Sequence, residues 1–188
     1  MQLKDYIKIY DNKIDPKLIS NLIQFSNKHF ASKEFVQASV GSAHNIDKDV
    51  RSVTQLLMSH LHPSLSNVHW TNLLTWMVKS TFIAYSKEFK NLGMDGFIEP
   101  IQLLRYDKSN HYDWHVDDGP GMFRRVSLVM MLNNDYKGGL LQFKFGDNIE
   151  TIDLKVGRMV VWPSSFLFPH RVTPIEEGTK HTVVCWGK

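Results

Sequence analysis

The chain has 188 residues, 43% of them hydrophobic and 22% charged, and a formal net charge of +3 at pH 7. These values are typical of an ordinary soluble globular protein with one domain and a substantial core. The basic residues are dispersed, so nucleic-acid binding is not indicated. No apolar run approaches the length of a membrane span, so no membrane partner is expected.

The only cysteine, Cys185, excludes a disulfide framework and a thiolate metal cluster. Because it lies in the apolar run 183–186, we interpret it as a small buried hydrophobic residue. The first six residues lack the apolar core of a signal peptide. We therefore expect a cytoplasmic protein, whose oligomeric state is not indicated by any sequence pattern.

The first part of the chain is predicted to contain a short strand and a helix. Residues 6–10 alternate apolar and polar side chains, which indicates the strand. Asp15 is a typical N-cap and Pro16 a typical first residue of a helix, which we predict to run to about Phe30. The polar segment 31–49 is predicted to be a loop or an irregular edge.

A second, longer helix is predicted from Ser64 or Ser66 to about Asn91. Its apolar stripe is rich in aromatic residues, and Gly93 follows it as a stop signal. We interpret the stripe as part of the core instead of a cofactor site. No chemistry can be assigned to residues 31–60.

From Gly96 onward, short β-rich runs alternate with turn residues. The predicted strands are 98–106, 114–116, 126–132, 140–145, 151–154, 158–162, 170–175 and 181–186. About eight short strands at this spacing favour a double-stranded β-helix, that is, a jelly-roll or cupin-like barrel. The predicted fold class is therefore α+β, with N-terminal helices packed on one sheet. We expect a single domain, 1–188, with a mainly helical support region (1–95) and a jelly-roll catalytic core (96–188).

The motif His115-Val116-Asp117 is a candidate for metal binding. In an extended segment, residues two apart project to the same side, so His115 and Asp117 can hold one ion while Trp114 points the other way. His170, 55 residues after His115, could lie on a neighbouring strand of a two-sheet barrel. Two histidines and one carboxylate form the facial triad of Fe(II) oxygenases, which leaves three metal positions open. Taken alone, His170 is better explained as a surface histidine before a turn.

Lys180 opens the last predicted strand. With a period of two it shares a face with Thr182, Val184 and Trp186, and these residues suggest that the face looks inward. A buried ammonium requires an anionic partner, which a bound dicarboxylate would supply. A lysine at the mouth of the strand, reaching solvent, is the alternative.

This set of residues resembles the Fe(II)- and 2-oxoglutarate-dependent dioxygenases, specifically the prolyl 4-hydroxylase-like branch, over residues 98–188. The matching motifs are Leu104-Arg105-Tyr106, Tyr112-Asp113-Trp114-His115-Val116-Asp117, Leu132-Asn133, Gly138-Gly139-Leu140 and His170-Arg171-Val172-Thr173-Pro174-Ile175, with Gly178, Lys180 and Trp186. Two departures are Ser109, where the family usually has glycine, and lysine instead of arginine at 180.

The resemblance implies a role for each matching residue. It implies that His115, Asp117 and His170 bind iron, and that Lys180 and Tyr106 bind the distal carboxylate of 2-oxoglutarate. Fe(II), 2-oxoglutarate and dioxygen are the implied cofactor and co-substrates, with ascorbate as an accessory reductant. No catalytic residue beyond the metal ligands is required.

The implied function is hydroxylation of a C–H bond, with a prolyl or other peptidyl side chain as the favoured target. The same chemistry on a small molecule or nucleobase is an alternative, and a non-catalytic cupin-like binding module is an alternative of another class. A zinc hydrolase is disfavoured because it would leave Lys180 without a partner. The residues considered for the substrate pocket are Tyr112, Trp114, Trp186 and Arg125, with Arg124 and the run 166–169 near its entrance.

Overall fold

Three antiparallel sheets and two helices make up the computed structural model, which describes residues 2–40, 45–61 and 64–188. The helices are α1 (Pro16–Ala31) and α2 (Leu65–Glu88), with 3-10 turns at Leu3–Tyr6 and Lys90–Leu92. The strands are β1 (Lys8–Tyr10), β2 (Val36–Gln37), β3 (Thr54–Leu57), β4 (Gln102–Tyr106), β5 (Tyr112–His115), β6 (Val126–Met131), β7 (Lys137–Gly138), β8 (Leu141–Phe145), β9 (Asn148–Thr151), β10 (Met159–Pro163), β11 (His170–Val172), β12 (Ile175–Glu177) and β13 (Lys180–Gly187).

The strands form a major and a minor sheet plus a two-stranded ribbon. The major sheet has the order β1-β10-β6-β13-β4-β3-β2, the minor sheet β5-β11-β8-β9, and the ribbon β12-β7. Side chains of both sheets share one apolar cluster, which includes Met131 and Trp162 of the major sheet and Phe143 of the minor sheet. The space between the two sheets is therefore the interior of the barrel.

The two helices cover the other face of the major sheet. Leu22 of α1 and Leu74 and Phe82 of α2 are buried in one cluster with Leu103 and Val183 of the sheet. Strand β13 is consequently buried on both faces, one toward the helices and the other toward the barrel interior. This arrangement explains why the run 183–186 is apolar at every position.

The predicted helix boundaries are confirmed to within a few residues. The Asp15 side chain accepts a hydrogen bond of 2.7 Å from the backbone N–H of Lys17, and Pro16 begins α1. Helix α2 ends at Glu88, slightly earlier than predicted, because its last turn continues as the 3-10 turn. That turn stops at Gly93, whose φ of 67° is in the left-handed region.

Three strands of the major sheet come from the N-terminal region. The strand predicted at 6–10 is β1, which is shortened because Leu3–Tyr6 form a 3-10 turn. Strands β2 and β3 were not predicted. In β3, Gln55 and Leu56 are both buried, which breaks the alternation that identifies a strand in a sequence. Part of the loop predicted at 31–49, residues 41–44, lies outside the described residues.

The predicted position of the strand at 151–154 is wrong by about three residues. The structure places β9 at Asn148–Thr151, where Phe145 pairs with Asn148 across a two-residue loop. Gly146 in this loop has a φ of 61°, which a tight hairpin turn requires. The strand predicted at 170–175 is divided into β11 and β12, which belong to different sheets.

Cys185 is buried and unpaired, as predicted. Burial in the core, with the charge of Glu99 nearby, raises the pKa of its thiol to about 12. The thiol is therefore protonated at neutral pH and packs as a hydrophobic group. Within the described ranges, neither helix is long and apolar enough to cross a membrane.

Candidate metal centre

His115, Asp117 and His170 meet between the two sheets. His115 ends β5, and His170 begins β11 directly opposite it in the sheet. Asp117 follows two residues after His115, and one possible donor atom from each of the three residues lies within 4.8 Å of the other two. The Nε2 atoms of His115 and His170 are 3.7 and 3.3 Å from the carboxylate oxygens of Asp117. The structure thus brings the predicted triad together around one point.

Hydrogen bonds outside the triad orient both imidazoles. Nδ1 of His115 lies 2.7 Å from the carbonyl oxygen of Asp113, and Nδ1 of His170 lies 3.0 Å from that of Phe168. Because a carbonyl oxygen only accepts, Nδ1 carries the proton in each ring. Each Nε2 lone pair is therefore available to a metal.

Two serines hold the carboxylate. The Ser127 hydroxyl donates a hydrogen bond of 2.6 Å to Oδ2 of Asp117, and the Ser164 hydroxyl lies 2.8 Å from that of Ser127. Both serines are almost completely buried. Neither serine was predicted from the sequence, although a serine inside the apolar run 126–132 was a usable signal, because a buried hydroxyl needs a specific partner.

The charges of the triad suit a divalent cation. Burial, and then the neighbouring charge of His170, lowers the pKa of His115 to about 3. Burial alone would raise the pKa of Asp117, but the two histidines and the Ser127 hydrogen bond shift it below its ordinary value. At neutral pH, His115 is neutral and Asp117 is ionised, which are the forms that bind metal. The donor set and its convergence therefore fit Fe(II) in a facial triad.

Lys180 is only 1% exposed, and its register partner Tyr106 lines the same inner chamber as the triad. Its ammonium donates a hydrogen bond to the carbonyl oxygen of Gly139, and it lies 5.6 and 5.8 Å from the ring centroids of Tyr106 and Tyr136. Burial lowers the pKa of Lys180 to about 7, and no carboxylate of the described residues pairs with it. Lys180 thus faces inward, as predicted, and the part of the chain that the structure describes supplies no counter-charge to its ammonium.

Two tyrosines border this lysine. Tyr106 of β4 is opposite Lys180 in the register of the sheet, so the two residues predicted to bind 2-oxoglutarate are neighbours. Tyr136, which the sequence analysis missed, has a buried hydroxyl with no partner among the described residues. Such an orphan donor next to an unpaired ammonium fits a carboxylate ligand.

The Gly138-Gly139 pair explains how the chain approaches Lys180 so closely. Both glycines have positive φ values, 74° and 60°. A Cβ on Gly139 would lie 2.4 Å from Cδ1 of Ile175 and 3.2 Å from Cδ of Lys180. Only glycine therefore permits the carbonyl of residue 139 to reach the ammonium.

A cavity of about 300 Å³ opens from the triad to the surface. Tyr112 and Trp186, two of the predicted pocket residues, line it. Arg124 also lines it, held by two hydrogen bonds of 2.9 and 2.7 Å to Glu99 and stacked 3.7 Å from the Trp186 ring centroid. The cavity wall therefore includes two aromatic rings and an arginine that Glu99 neutralises.

The other two predicted pocket residues lie elsewhere. Trp114 projects to the opposite side of β5 from His115, where the Arg171 guanidinium lies 4.6 Å from its ring centroid. Arg125 is exposed, and its neighbour Arg124 takes the position in the cavity. The position of Trp114 follows from strand alternation in β5, since adjacent residues point to opposite sides. Arg124 and Arg125 precede β6, so this rule does not apply to them.

Ser109, which departs from the usual glycine, adopts the conformation that favours glycine. Its φ is 69°, and its N–H donates a 2.8 Å hydrogen bond to the carbonyl oxygen of Ile175. The turn before β5 therefore keeps a left-handed residue despite the substitution.

Comparison with known proteins agrees with this geometry. Residues 101–188 match the family model of the 2OG-Fe(II) oxygenase superfamily. A PKHD-type hydroxylase of Nitrosomonas eutropha is 37% identical over 94 residues, covering 44% of this chain and 40% of the relative. Another from Prochlorococcus marinus is 29% identical over 101 residues, covering 52% of this chain and 45% of the relative. The matches therefore span less than half the length of these relatives.

Two solved structures share the fold over nearly the whole chain. A prolyl hydroxylase from Trichoplax adhaerens, in complex with a hypoxia inducible factor peptide fragment, has a TM-score of 0.82 at 16% identity, covering 97% of this chain and 83% of its own. A Pseudomonas putida prolyl-4-hydroxylase has a TM-score of 0.75 at 16% identity, covering 97% and 92%. The predicted double-stranded β-helix with packed helices is thus confirmed. Residues 101–188 are thus similar in sequence to the 2OG-Fe(II) oxygenase superfamily, and the chain has the fold of a prolyl 4-hydroxylase.

Proposed function

We propose that the protein is an Fe(II)- and 2-oxoglutarate-dependent dioxygenase that hydroxylates a peptidyl side chain, with proline as the favoured target. One observation carries the proposal. The donor atoms of His115, Asp117 and His170 converge in a chamber that Tyr106 also lines, and the strand neighbour of Tyr106 is Lys180, a buried ammonium without a carboxylate partner among the described residues. A metal and a dicarboxylate co-substrate together satisfy both features.

In this proposal, His115, Asp117 and His170 would hold the metal and leave it accessible to ligands from outside the chain. When bound, Fe(II) and 2-oxoglutarate supply the oxygen activation for C–H hydroxylation, with succinate and carbon dioxide as co-products. The residues of the chain bind and orient the metal and the co-substrate and shield them from water. No protein residue has to remove a proton, so the site needs no general base.

Lys180 and Tyr106 orient the co-substrate. The ammonium pairs with the distal carboxylate, and the Tyr106 hydroxyl donates to the same group. Burial raises the pKa of Tyr106 well above its ordinary value, so this hydroxyl keeps its proton. Leu141, Trp162 and Val184 line the inner chamber beside the triad and limit the access of water. A dry surrounding strengthens the Lys180 ion pair.

A peptide target is supported by the open cavity and by the solved relatives. The aromatic rings of Tyr112 and Trp186 line the cavity next to the triad. His115 stacks on Tyr112 and Arg124 on Trp186, so the apolar surface that these rings leave uncovered would contact a pyrrolidine ring. The prolyl hydroxylase from Trichoplax adhaerens shares this fold and was solved with a peptide fragment.

The test is aerobic turnover of 2-oxoglutarate with Fe(II), read as succinate, with and without a panel of proline-containing peptides. We expect succinate with Fe(II) but not with Zn(II), and a peptide product heavier by one oxygen atom. Succinate formation should disappear in His115→Ala, Asp117→Ala and His170→Ala. Lys144→Gln, a change at an exposed position of β8, is the matched control and should keep full activity. Equal turnover with Zn(II), or none with Fe(II) and any peptide, would contradict the proposal.

Two other expectations from the sequence stay predictions. The division into a support region (1–95) and a catalytic core (96–188) within one domain is one of them. The cytoplasmic location is the other, and fractionation of cells that express the protein would test it.

A further inference from the structure

Arg51 lies in the wall between the metal centre and the open cavity. Its side chain is only 6% exposed, and a β-bridge joins its backbone to Tyr112. Arg51 lines both the inner chamber, which contains His115, Asp117 and His170, and the outer cavity. A molecule that reaches the triad from outside therefore passes this guanidinium.

Among the described residues, the partners of this guanidinium are all neutral. Nη1 donates a 2.7 Å hydrogen bond to the carbonyl oxygen of Ser39, and Nη2 donates one of 3.3 Å to Oε1 of Gln102. The guanidinium carbon lies 4.8 Å from the ring centroid of Tyr112. Nε is buried and has no partner among the described residues. Arg51 thus offers a free N–H on a buried cation.

The carboxylates that line the outer cavity are already engaged. Glu99 forms an ion pair with Arg124, with Nη2 and Oε2 2.7 Å apart. Asp117 accepts from Ser127 and faces the two histidines of the triad. Among the described residues, no carboxylate is left to neutralise Arg51. A buried cation of this kind is costly unless a ligand supplies the opposite charge.

Arg124 shows how such a ligand would bind. It holds the two oxygens of Glu99 through Nε and Nη2, the edge of the guanidinium that matches a carboxylate. In Arg51 the Nε side of the same edge is unused, and Nη2 has only a long bond to a neutral amide. The planar fork is specific for carboxylate and phosphate geometry.

We infer that the substrate carries a carboxylate, which Arg51 binds while the carbon to be hydroxylated lies at the triad. This inference rests on the proposed function and names its substrate class. The co-substrate has a cation of its own, because Lys180 contacts Gly139, Tyr106 and Tyr136 and is not among the described residues that line the two cavities. The carboxylate can be the α-carboxylate of a free or C-terminal residue, or the side chain of an acidic residue beside the target.

The direct test compares two probes of equal size, N-acetyl-L-proline and N-acetyl-L-prolinamide, on the wild-type protein loaded with Mn(II) and 2-oxoglutarate. Ligand-observed NMR gives their affinities, because Mn(II) broadens the resonances of a probe bound beside the triad. A second pair, N-acetyl-Asp-Pro-amide and N-acetyl-Asn-Pro-amide, tests the acidic side chain. In at least one of the two probe pairs, we expect the acid to bind at least about tenfold tighter than its amide, because only the acid can form a charge-assisted hydrogen bond with Arg51. Equal affinities within both pairs would overturn the inference.

Variants of Arg51 test whether this residue causes the preference for the acid over its amide. Arg51→Gln should abolish it, Arg51→Lys should keep part of it as a point charge, and Lys144→Gln should leave it unchanged. A preference that survives in Arg51→Gln would overturn the inference. So would a tenfold loss of 2-oxoglutarate affinity in Arg51→Gln, because Arg51 would then serve the co-substrate. If Arg51→Gln does not fold, Arg51→Lys and the wild-type comparison decide.

These experiments distinguish a failure of the proposed oxygenase function from a failure of the proposed carboxylate site at Arg51. The probe affinities are measured on the Mn(II) protein without turnover, whereas the proposed function is tested by succinate formation with Fe(II). A preference for the acid without Fe(II)-dependent turnover would support the carboxylate site and contradict the proposed oxygenase function. Turnover of neutral and acidic peptides at equal rates would retain the oxygenase and contradict the carboxylate site.

Discussion

At the scale of single residues, the metal centre combines local and distant support. Each histidine donates its Nδ1 proton to the carbonyl two residues before it, Asp113 or Phe168, so the backbone of its own segment sets its tautomer. Asp117 depends instead on Ser127, ten residues later on another sheet, and through it on Ser164. The carboxylate is thus the ligand whose position depends on tertiary structure, and it should respond most to changes outside the triad.

Removal of the Ser127 hydroxyl should weaken metal binding without removing a ligand. In Ser127→Ala, Asp117 loses a 2.6 Å charge-assisted hydrogen bond, and its carboxylate can rotate. Changes of this kind typically cost about 10–100-fold in metal affinity. Titration with Co(II), followed by its absorption spectrum, would measure both affinity and geometry. Ser127→Thr keeps the hydroxyl and should restore most of the affinity; an unchanged affinity in Ser127→Ala would refute this role.

Lys180 should make the stability of the metal-free protein depend on pH. Burial lowers its pKa from 10.5 to about 7, so the unfolded chain binds this proton more tightly than the folded protein does. Stability therefore rises with pH between about 7 and 10.5, and the penalty is fully present below pH 7. Its size is on the order of a few kcal/mol.

Chemical unfolding of wild type and Lys180→Met at pH 6, 8 and 9.5 would show this penalty. The variant should be favoured most at pH 6, and its advantage should shrink as the pH rises. The Gly139 carbonyl loses its partner in Lys180→Met at every pH, so that cost cancels in the comparison. A difference in stability that does not change with pH would contradict the burial of a charged ammonium.

At the scale of elements, strand periodicity explains why the inward-facing residues of β13 could be predicted from the sequence. The alternation of side chains placed Lys180, Val184 and Trp186 on the inner face of β13, and the structure puts Val184 and Trp186 in one cluster with Tyr106. The same rule places Trp114 opposite His115, so its assignment to the pocket contradicted the periodicity itself.

What the sequence could not reveal depends on pairings between distant segments. Arg51 reaches the site only because β3 joins the edge of β4, 45 or more residues later in the chain. Gln55 on β3 is polar and buried, so the strand has no apolar alternation to identify it. The Arg124–Glu99 pair likewise forms across 25 residues. Such contacts need the topology of the sheet, which a single sequence does not supply.

The turn between β7 and β8 should tolerate no side chain. Gly138 has a φ of 74°, and a Cβ there would lie 2.2 Å from the carbonyl oxygen of Pro174. Gly146, with a φ of 61° and nothing within 4 Å of a Cβ, is the matched control for backbone strain alone. Gly146→Ala should cost about 1–2 kcal/mol, whereas Gly138→Ala should cost clearly more because the backbone must also move.

Urea unfolding of the two alanine variants would measure this difference in stability. Only Gly138→Ala should also weaken 2-oxoglutarate binding, because the next carbonyl, that of Gly139, contacts Lys180. Equal losses of stability in the two variants would show that the contact with Pro174 relaxes without cost.

At the scale of the whole molecule, the metal centre joins the two sheets. His115 and His170 belong to the minor sheet, whereas Asp117 is held by Ser127 of the major sheet. Lys180 and Tyr106 lie on neighbouring strands of the major sheet. Metal and co-substrate together would therefore cross-link the barrel, so that their binding energy is added to the stability of the complete fold.

This cross-link predicts two separable increments in thermal stability. A ligand at 100 times its Kd stabilises a protein by about 2.7 kcal/mol, which for a chain of this size corresponds to roughly 5–10 °C in Tm. We expect Mn(II) alone to raise the Tm of the wild type, and 2-oxoglutarate to raise it further only when Mn(II) is present. Differential scanning calorimetry under nitrogen would measure both increments.

Two variants test whether the Mn(II) increment in Tm depends on the triad and the 2-oxoglutarate increment on Lys180. The double variant His115→Ala, Asp117→Ala should lose both, because neither the metal nor the co-substrate chelated to it is held. Lys180→Met should keep the Mn(II) increment and lose most of the 2-oxoglutarate increment, since only the distal carboxylate loses its partner. EDTA should return the wild type to its metal-free Tm. A full Mn(II) increment in the double variant would show that the metal binds elsewhere, and the triad would then have to be reassigned.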